Sequence, residues 1–99
     1  MTITEQKETG RLVLRVEGRL DTVTSPQLEQ RLGDSLGEIQ ELVLDFTSLE
    51  YISSAGLRVL LAAHKRMKRQ EGDLVVRGVN ENVREVFTIT GFIDMLHIE

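Results

Sequence analysis

Hydrophobic and polar positions change rhythm along the chain in a way that separates strands from helices. A weak alternation over Thr2 to Glu8 is followed by Thr9-Gly10. Leu12, Leu14 and Val16 then alternate with Val13, Arg15 and Glu17. Period-2 runs around a Gly-bearing turn predict a β-hairpin whose second strand has one firmly apolar face. After Gly18-Arg19-Leu20-Asp21 the period lengthens: Leu28, Leu32, Leu36 and Ile39 keep to one face. Ser25 stands where a helix N-cap is wanted and Pro26 where the first helical residue is wanted, so the pattern predicts a helix over Pro26 to Leu36, closing near Gly37.

Leu42-Val43-Leu44 is a continuous apolar run and predicts a central strand covered on both faces. Thr47-Ser48-Leu49-Glu50 breaks it, and Tyr51 and Ile52 are expected to return the chain to the core. A second helix is predicted from about Ala55 to Arg69, with Leu57, Leu60, Leu61, His64 and Met67 inward and Val59 and Ala63 widening the apolar arc. His64 reads as a hydrogen-bonded core residue. Lys65, Arg66, Lys68 and Arg69 fall in the last turns, where cations suit the helix dipole. Gly72 ends the helix, Leu74-Val75-Val76 gives a buried strand, and Asn80 caps a third helix carrying Val83, Val86 and Phe87 inward. After Gly91, residues 92–98 form a last half-turn or edge strand. The order β-β-α-β-α-β-α plus a short terminal element predicts an α/β fold, a mixed β-sheet of four to five strands with helices packed on it, in a single domain over residues 1–99.

Composition narrows the function classes. A net charge of −4 and a scarcity of aromatics, with Phe46, Phe87, Phe92 and Tyr51 alone, argue against direct nucleic-acid binding, which draws on basic surfaces and stacking platforms. The absence of cysteine removes disulfides, thiolate catalysis and zinc–thiolate sites, and accords with a reducing cytosol. Asp and Glu are scattered without metal-ligand spacing and the two histidines are unpaired, so neither metal nor cofactor is expected. Met1 to Glu8 lack signal-peptide regions and no apolar run approaches the ~20 residues of a membrane span. The expectation is a cytoplasmic protein with no membrane span.

Candidate chemistry gathers at Ser53 and Ser54, between strand and helix. Such a serine caps a helix, attacks a substrate or accepts a phosphate. As a small serine hydrolase the segment Ile52-Ser53-Ser54-Ala55-Gly56 lacks the first glycine of a nucleophile elbow. His64 lies about 15 Å along the same helix, too far to serve as base. No Gly-Lys-Ser/Thr loop or Gly-x-Gly-x-x-Gly occurs. A cap alone is worth ~1 kcal/mol. Local chemistry leaves cap and acceptor open for both serines.

The run Leu42-Val-Leu-Asp-Phe-Thr-Ser-Leu-Glu-Tyr-Ile-Ser-Ser-Ala-Gly-Leu-Arg58, with Gly18-Arg-Leu-Asp21, Gly72-Asp-Leu-Val-Val76 and Phe87-x-x-x-Gly91-Phe92 in the same order, resembles the STAS family, in particular its stand-alone anti-sigma factor antagonists. The resemblance implies a binding module rather than an enzyme, a phosphoprotein in signal transduction and transcription regulation by partner switching. An anti-sigma factor that is also a serine kinase is the implied partner, and a PP2C-type phosphatase reverses its action. Unphosphorylated, such a protein binds the kinase and frees the sigma factor. Carried over by position, the phosphate acceptor is Ser54 and the acidic residue of the early loop is Asp21; Ser53, Ala55, Gly56 and Arg58 beside the acceptor are expected as further partner-binding positions, Arg58 because arginine is enriched in such contacts. Many members carry Asp where Ser53 stands and a second hydroxyl where Ala55 stands, so a negative charge beside the acceptor is missing here. A STAS component of a transporter or of a stressosome-like assembly is the alternative within the family.

Overall fold

The computed structural model describes all 99 residues. Strands β1 (Thr2–Glu8) and β2 (Arg11–Leu20) form the predicted antiparallel hairpin, turning at Gly10 with φ +71°. Helix α1 (Ser25–Ser35) follows, then β3 (Glu41–Asp45), β4 (Leu49–Ile52), α2 (Ser54–Arg69), β5 (Asp73–Arg77), α3 (Glu81–Thr90), the single turn α4 (Phe92–Met95) and β6 (His97–Ile98). The sheet has six strands in the order β1-β2-β3-β5-β6, with β4 paired to β2 off this path. Apart from the hairpin all pairings are parallel.

The six strands exceed the four or five expected. β4 grows out of Leu49 to Ile52, where the sequence pattern reads as a break. A four-residue strand with its inward positions at the two ends, Leu49 and Ile52, shows no alternation to detect. β6 resolves part of the ambiguous terminus: α4 takes residues 92–95, and His97 and Ile98 pair with Val75 and Val76.

The long strand β2 makes room for β4. Its first half, Arg11 to Arg15, pairs with β3, and Gly18 to Leu20 pair with β4. The register shifts between Gly18 and Arg19, and Gly18 has φ +98°, a backbone region open to glycine at little cost. The bulge turns β2 away from β3, and the carbonyl of Ser48 accepts a hydrogen bond from Gly18 N–H at 3.0 Å. Leu20 and Ile52 end up side by side in register, so the segments after β2 and after β4 leave the sheet together.

Helices cover one face. Leu12, Leu14, Val16, Leu42, Leu44, Leu74 and Val76 share a single buried cluster with Leu28 and Leu32 of α1, Leu57, Leu60 and Met67 of α2, and Val83 and Phe87 of α3. Leu42, Val43 and Leu44 of β3 are all buried, as expected of a strand covered on both faces, but helices supply only one of the two covers. On the other face Val13, Val43 and Val75 stand in one row across three strands as a separate small cluster. Long polar side chains flank that row: Arg11 Nε meets Glu41 Oε1 at 2.6 Å, Arg77 lies 3.8 Å from Asp45, and His97 Nδ1 lies 3.0 Å from Asp73. Valine reads as buried in sequence either way, because aliphatic stems of charged neighbours shield it as a helix would.

Helix termini show one correction and one agreement. Ser25 lies inside α1, is 4% exposed, and its hydroxyl has no partner, while Thr24 occupies the cap position. Thr24 Oγ1 is engaged elsewhere: it accepts from Asp21 N–H at 2.9 Å and donates to the carbonyl of Arg19 at 2.7 Å. Asn80 caps α3 as predicted, accepting from Val83 N–H at 2.9 Å, and its amide also donates to the carbonyl of Leu49 at 2.8 Å. In α2, Leu57, Val59, Leu60, Ala63 and Met67 are buried as expected. Leu61 and His64 are only half-buried, and His64 makes no side-chain hydrogen bond, so it is not the bonded core residue its place in the arc implied.

Candidate functional site

Because Leu20 and Ile52 are adjacent, the turn after β2 and the start of α2 form one surface. Ser53 ties them: its N–H donates to the carbonyl of Leu20 at 2.9 Å. Its backbone is extended, φ −99° and ψ 175°, its carbonyl accepts from Leu57 N–H at 3.0 Å, and its Oγ accepts from Gly56 N–H at 3.4 Å. Ser53 is the helix cap. Ser54 is the first residue of α2, exposed, and its hydroxyl is free of any hydrogen bond.

Gly56 is buried, and a Cβ there would lie 2.8 Å from Leu20 Cγ and 2.9 Å from Ile52 Cγ1. The absent side chain lets α2 sit down on the ends of β2 and β4. Its contribution to any partner surface is therefore indirect, through the height at which α2 presents Ser54, Ala55 and Arg58. Ala55 is half-buried and Arg58 exposed. Both border a shallow hollow of about 190 Å³ between the starts of α1 and α2, closed on its other side by Thr22, Pro26 and Glu29.

Asp21 lies in the turn after β2. Its Oδ1 accepts from the N–H groups of Val23 at 3.0 Å and Thr24 at 3.1 Å, and its Oδ2 lies 3.8 Å from Arg19 Nε. The hydrogen bond from Thr24 N–H, aided by those from the Thr24 hydroxyl and Val23 N–H and by the Arg19 charge, outweighs partial desolvation and holds this carboxyl below the usual carboxylate range. One carboxylate oxygen thus shapes the turn and the other faces Arg19.

Three residues of this surface are not legible as site residues in the sequence. Val23 is 86% exposed at the tip of the turn; a lone valine among hydroxyl residues is the available signal. Tyr51, expected in the core, is 39% exposed, because β4 points Leu49 and Ile52 inward and leaves the two residues between them outside. The Arg19 guanidinium lies over the Tyr51 ring, 4.3 Å from its centre, and the two residues are register partners across β2 and β4. Val23 and Tyr51 are exposed apolar side chains near a free serine, the composition of a contact surface rather than a closed catalytic cleft.

No base is presented to Ser54. His64 lies further along α2 with no side-chain hydrogen bond, and His97 Nδ1 is engaged by Asp73. Nowhere do three or more acidic or histidine side chains converge in a way that would hold a metal ion. No helix is long and apolar enough to cross a membrane.

Comparison with known proteins places this geometry. The STAS domain family profile matches residues 1–99. The chain belongs to the STAS domain family. It is 38% identical over 100 residues to a protein of Bordetella bronchiseptica named as an anti-sigma factor antagonist, BtrV, with 99% of this chain and 85% of that protein covered. A crystal structure of an anti-sigma factor antagonist from Mycobacterium paratuberculosis superposes with a TM-score of 0.87 at 28% identity, covering 98% of this chain and 83% of that one. The anti-sigma factor antagonist SpoIIAA in its unphosphorylated form matches with a TM-score of 0.78 at 17% identity, over 99% of this chain and 87% of that one. The phosphorylated form of SpoIIAA matches with the same TM-score, 0.78, over 99% and 91%. At that identity SpoIIAA shares the fold alone.

Proposed function

We propose that this STAS domain is an anti-sigma factor antagonist that acts by binding, and that Ser54 is its regulatory phosphate acceptor. The observation that carries this reading is the division of labour between the two serines. Ser53 supplies the cap, and Ser54, one residue on, has an exposed hydroxyl that the fold does not use. Asp21, Val23 and Tyr51 extend the same end of the molecule into a mixed acidic and apolar surface of the kind a protein partner covers.

The partner is an anti-sigma factor that is also a serine kinase, and a PP2C-type phosphatase restores the free serine. Phosphate on Ser54 adds about −1.5 to −2 charges at the positive end of α2, where the helix tolerates it without rearrangement. At a closely packed interface the same group has to be desolvated, so the complex weakens while the domain stays folded.

The test is incubation with ATP and the cognate kinase, followed by mass measurement of the peptide holding Ser53 and Ser54. One phosphate on Ser54 is expected, with none in Ser54→Ala. Ser54→Asp is expected to lower affinity for the kinase at least tenfold, about 1.4 kcal/mol, while Ser54→Ala binds as tightly as the unmodified protein. Equal affinity of all three proteins would overturn the reading.

A further inference from the structure

Ser54 and Arg58 lie four residues apart on α2, and both are exposed. Residues at this spacing are neighbours on a helix, with Cβ atoms about 5–6 Å apart, and an anion ahead of a cation is the favoured order. Arg11, Arg15, Arg19, Arg31 and Arg77 each meet a carboxylate. Arg58, like Arg69 and Arg84 elsewhere on the surface, enters no ion pair and no side-chain hydrogen bond, although Glu29 borders the same hollow. What sets Arg58 apart from those two is its place one turn beyond Ser54, within reach of an anion on that hydroxyl.

We propose that Arg58 is the internal counter-ion of a phosphate on Ser54. This role rests on Ser54 as the acceptor and belongs to the modified state of the protein. The guanidinium fork takes phosphate oxygens in charge-assisted hydrogen bonds, which a planar five-donor group does better than an ammonium. Before modification Arg58 is open to a carboxylate of the partner; afterwards it is occupied. Phosphorylation therefore removes a cationic contact from the binding surface as well as placing an anion on it. Ser53 does not share this arrangement: it is five residues from Arg58, about 140° around the helix.

The charged groups around the start of α2 include Glu50, exposed on the neighbouring β4. Arg58 lies on the helix itself, Glu29 borders the hollow from α1, and Asp21 and Arg19 belong to the turn and the end of β2. Asp21 is committed to the turn through Oδ1 and to Arg19 through Oδ2, which leaves Arg58 as the free cation of this surface. Pairing stabilises the phosphate dianion over the monoanion, so the second ionisation of the phosphoserine moves down.

Phosphoserine installed at position 54 during synthesis of the full chain, without any kinase, gives the test through a phosphorus-31 NMR titration. The midpoint is expected about 0.3 pH unit lower with Arg58 present than in Arg58→Ala, and Arg58→Lys is expected to keep part of the shift. Phosphoserine at position 53 is expected to titrate alike with and without Arg58. Equal midpoints at position 54 in the Arg58 and Arg58→Ala proteins, both folded by circular dichroism, would overturn the counter-ion. Because no kinase takes part, a missing phosphopeptide in the kinase assay overturns Ser54 as acceptor and does not bear on these midpoints.

Discussion

Ser53 and Ser54 carry the same hydroxyl, and what separates them is one backbone conformation. Ser53 is extended, at ψ 175°, so its side chain turns back over the first turn of α2; Ser54 is already helical and its hydroxyl is left unbonded. The difference has a measurable consequence. Ser53→Ala is expected to cost about 0.5–1 kcal/mol in urea unfolding, the low end of cap removal because the bond to Gly56 N–H is long, while Ser54→Ala stays within about 0.5 kcal/mol. The reverse order would move the cap to Ser54. Gly56→Ala brings a methyl to 2.8 Å from Leu20 and 2.9 Å from Ile52. Overpacking of that kind is expected to cost about 2 kcal/mol and to lift the start of α2, read as lost stability together with altered amide shifts at Ser53 and Ser54.

Among elements, β2 decides the site. Its bulge at Gly18 lets one strand pair with β3 and then with β4, and so brings the turn that holds Asp21 beside the helix that holds Ser54. Gly18→Ala forces a Cβ into φ +98° and is expected to destabilise by roughly 1–2 kcal/mol, with hydrogen-exchange protection lost first in β4. The turn after β2 has its own pH dependence. The Asp21 carboxyl is held below its ordinary value, so the ionised form favours the folded turn. Its contribution is complete above the unfolded value of about 3.9 and disappears as pH falls through the lowered folded value. Asp21→Asn is expected to lower stability at neutral pH, to leave stability at the acid end little changed, and so to flatten stability against pH across that window, as measured by thermal unfolding from pH 2 to 7. Equal slopes in both proteins would place the shift elsewhere.

For the whole molecule, the helices gather on one face of the sheet and the candidate surface lies where β2 and β4 end. Val23 and Tyr51 contribute exposed apolar area there and little to the core. Val23→Ser and Tyr51→Ser are expected to keep stability within about 0.5 kcal/mol and to weaken binding of the anti-sigma factor several-fold, read by calorimetric titration. Unchanged affinity in both would move the interface off this surface.

Residue pattern alone determined the hairpin, the three main helices, the strands at Leu42–Leu44 and Leu74–Val76, and the cap at Asn80, because periodicity and capping are local and each segment states its own preference. The motif around Ser54, with Asp21, pointed to the family for the same reason: the residues are contiguous or recur in order. Tertiary structure decided the rest. β4 exists because β2 bends at Gly18 to receive it, which no short segment encodes, and Tyr51 faces outward as a result. Thr24 takes the cap position because its turn closes on Asp21 and Arg19, leaving Ser25 inside the helix. The valine row on the open face is shielded by side chains from four strands that meet only in the sheet. Which serine caps and which is free depends on where the chain after Leu20 anchors Ser53, a contact across 33 residues of sequence.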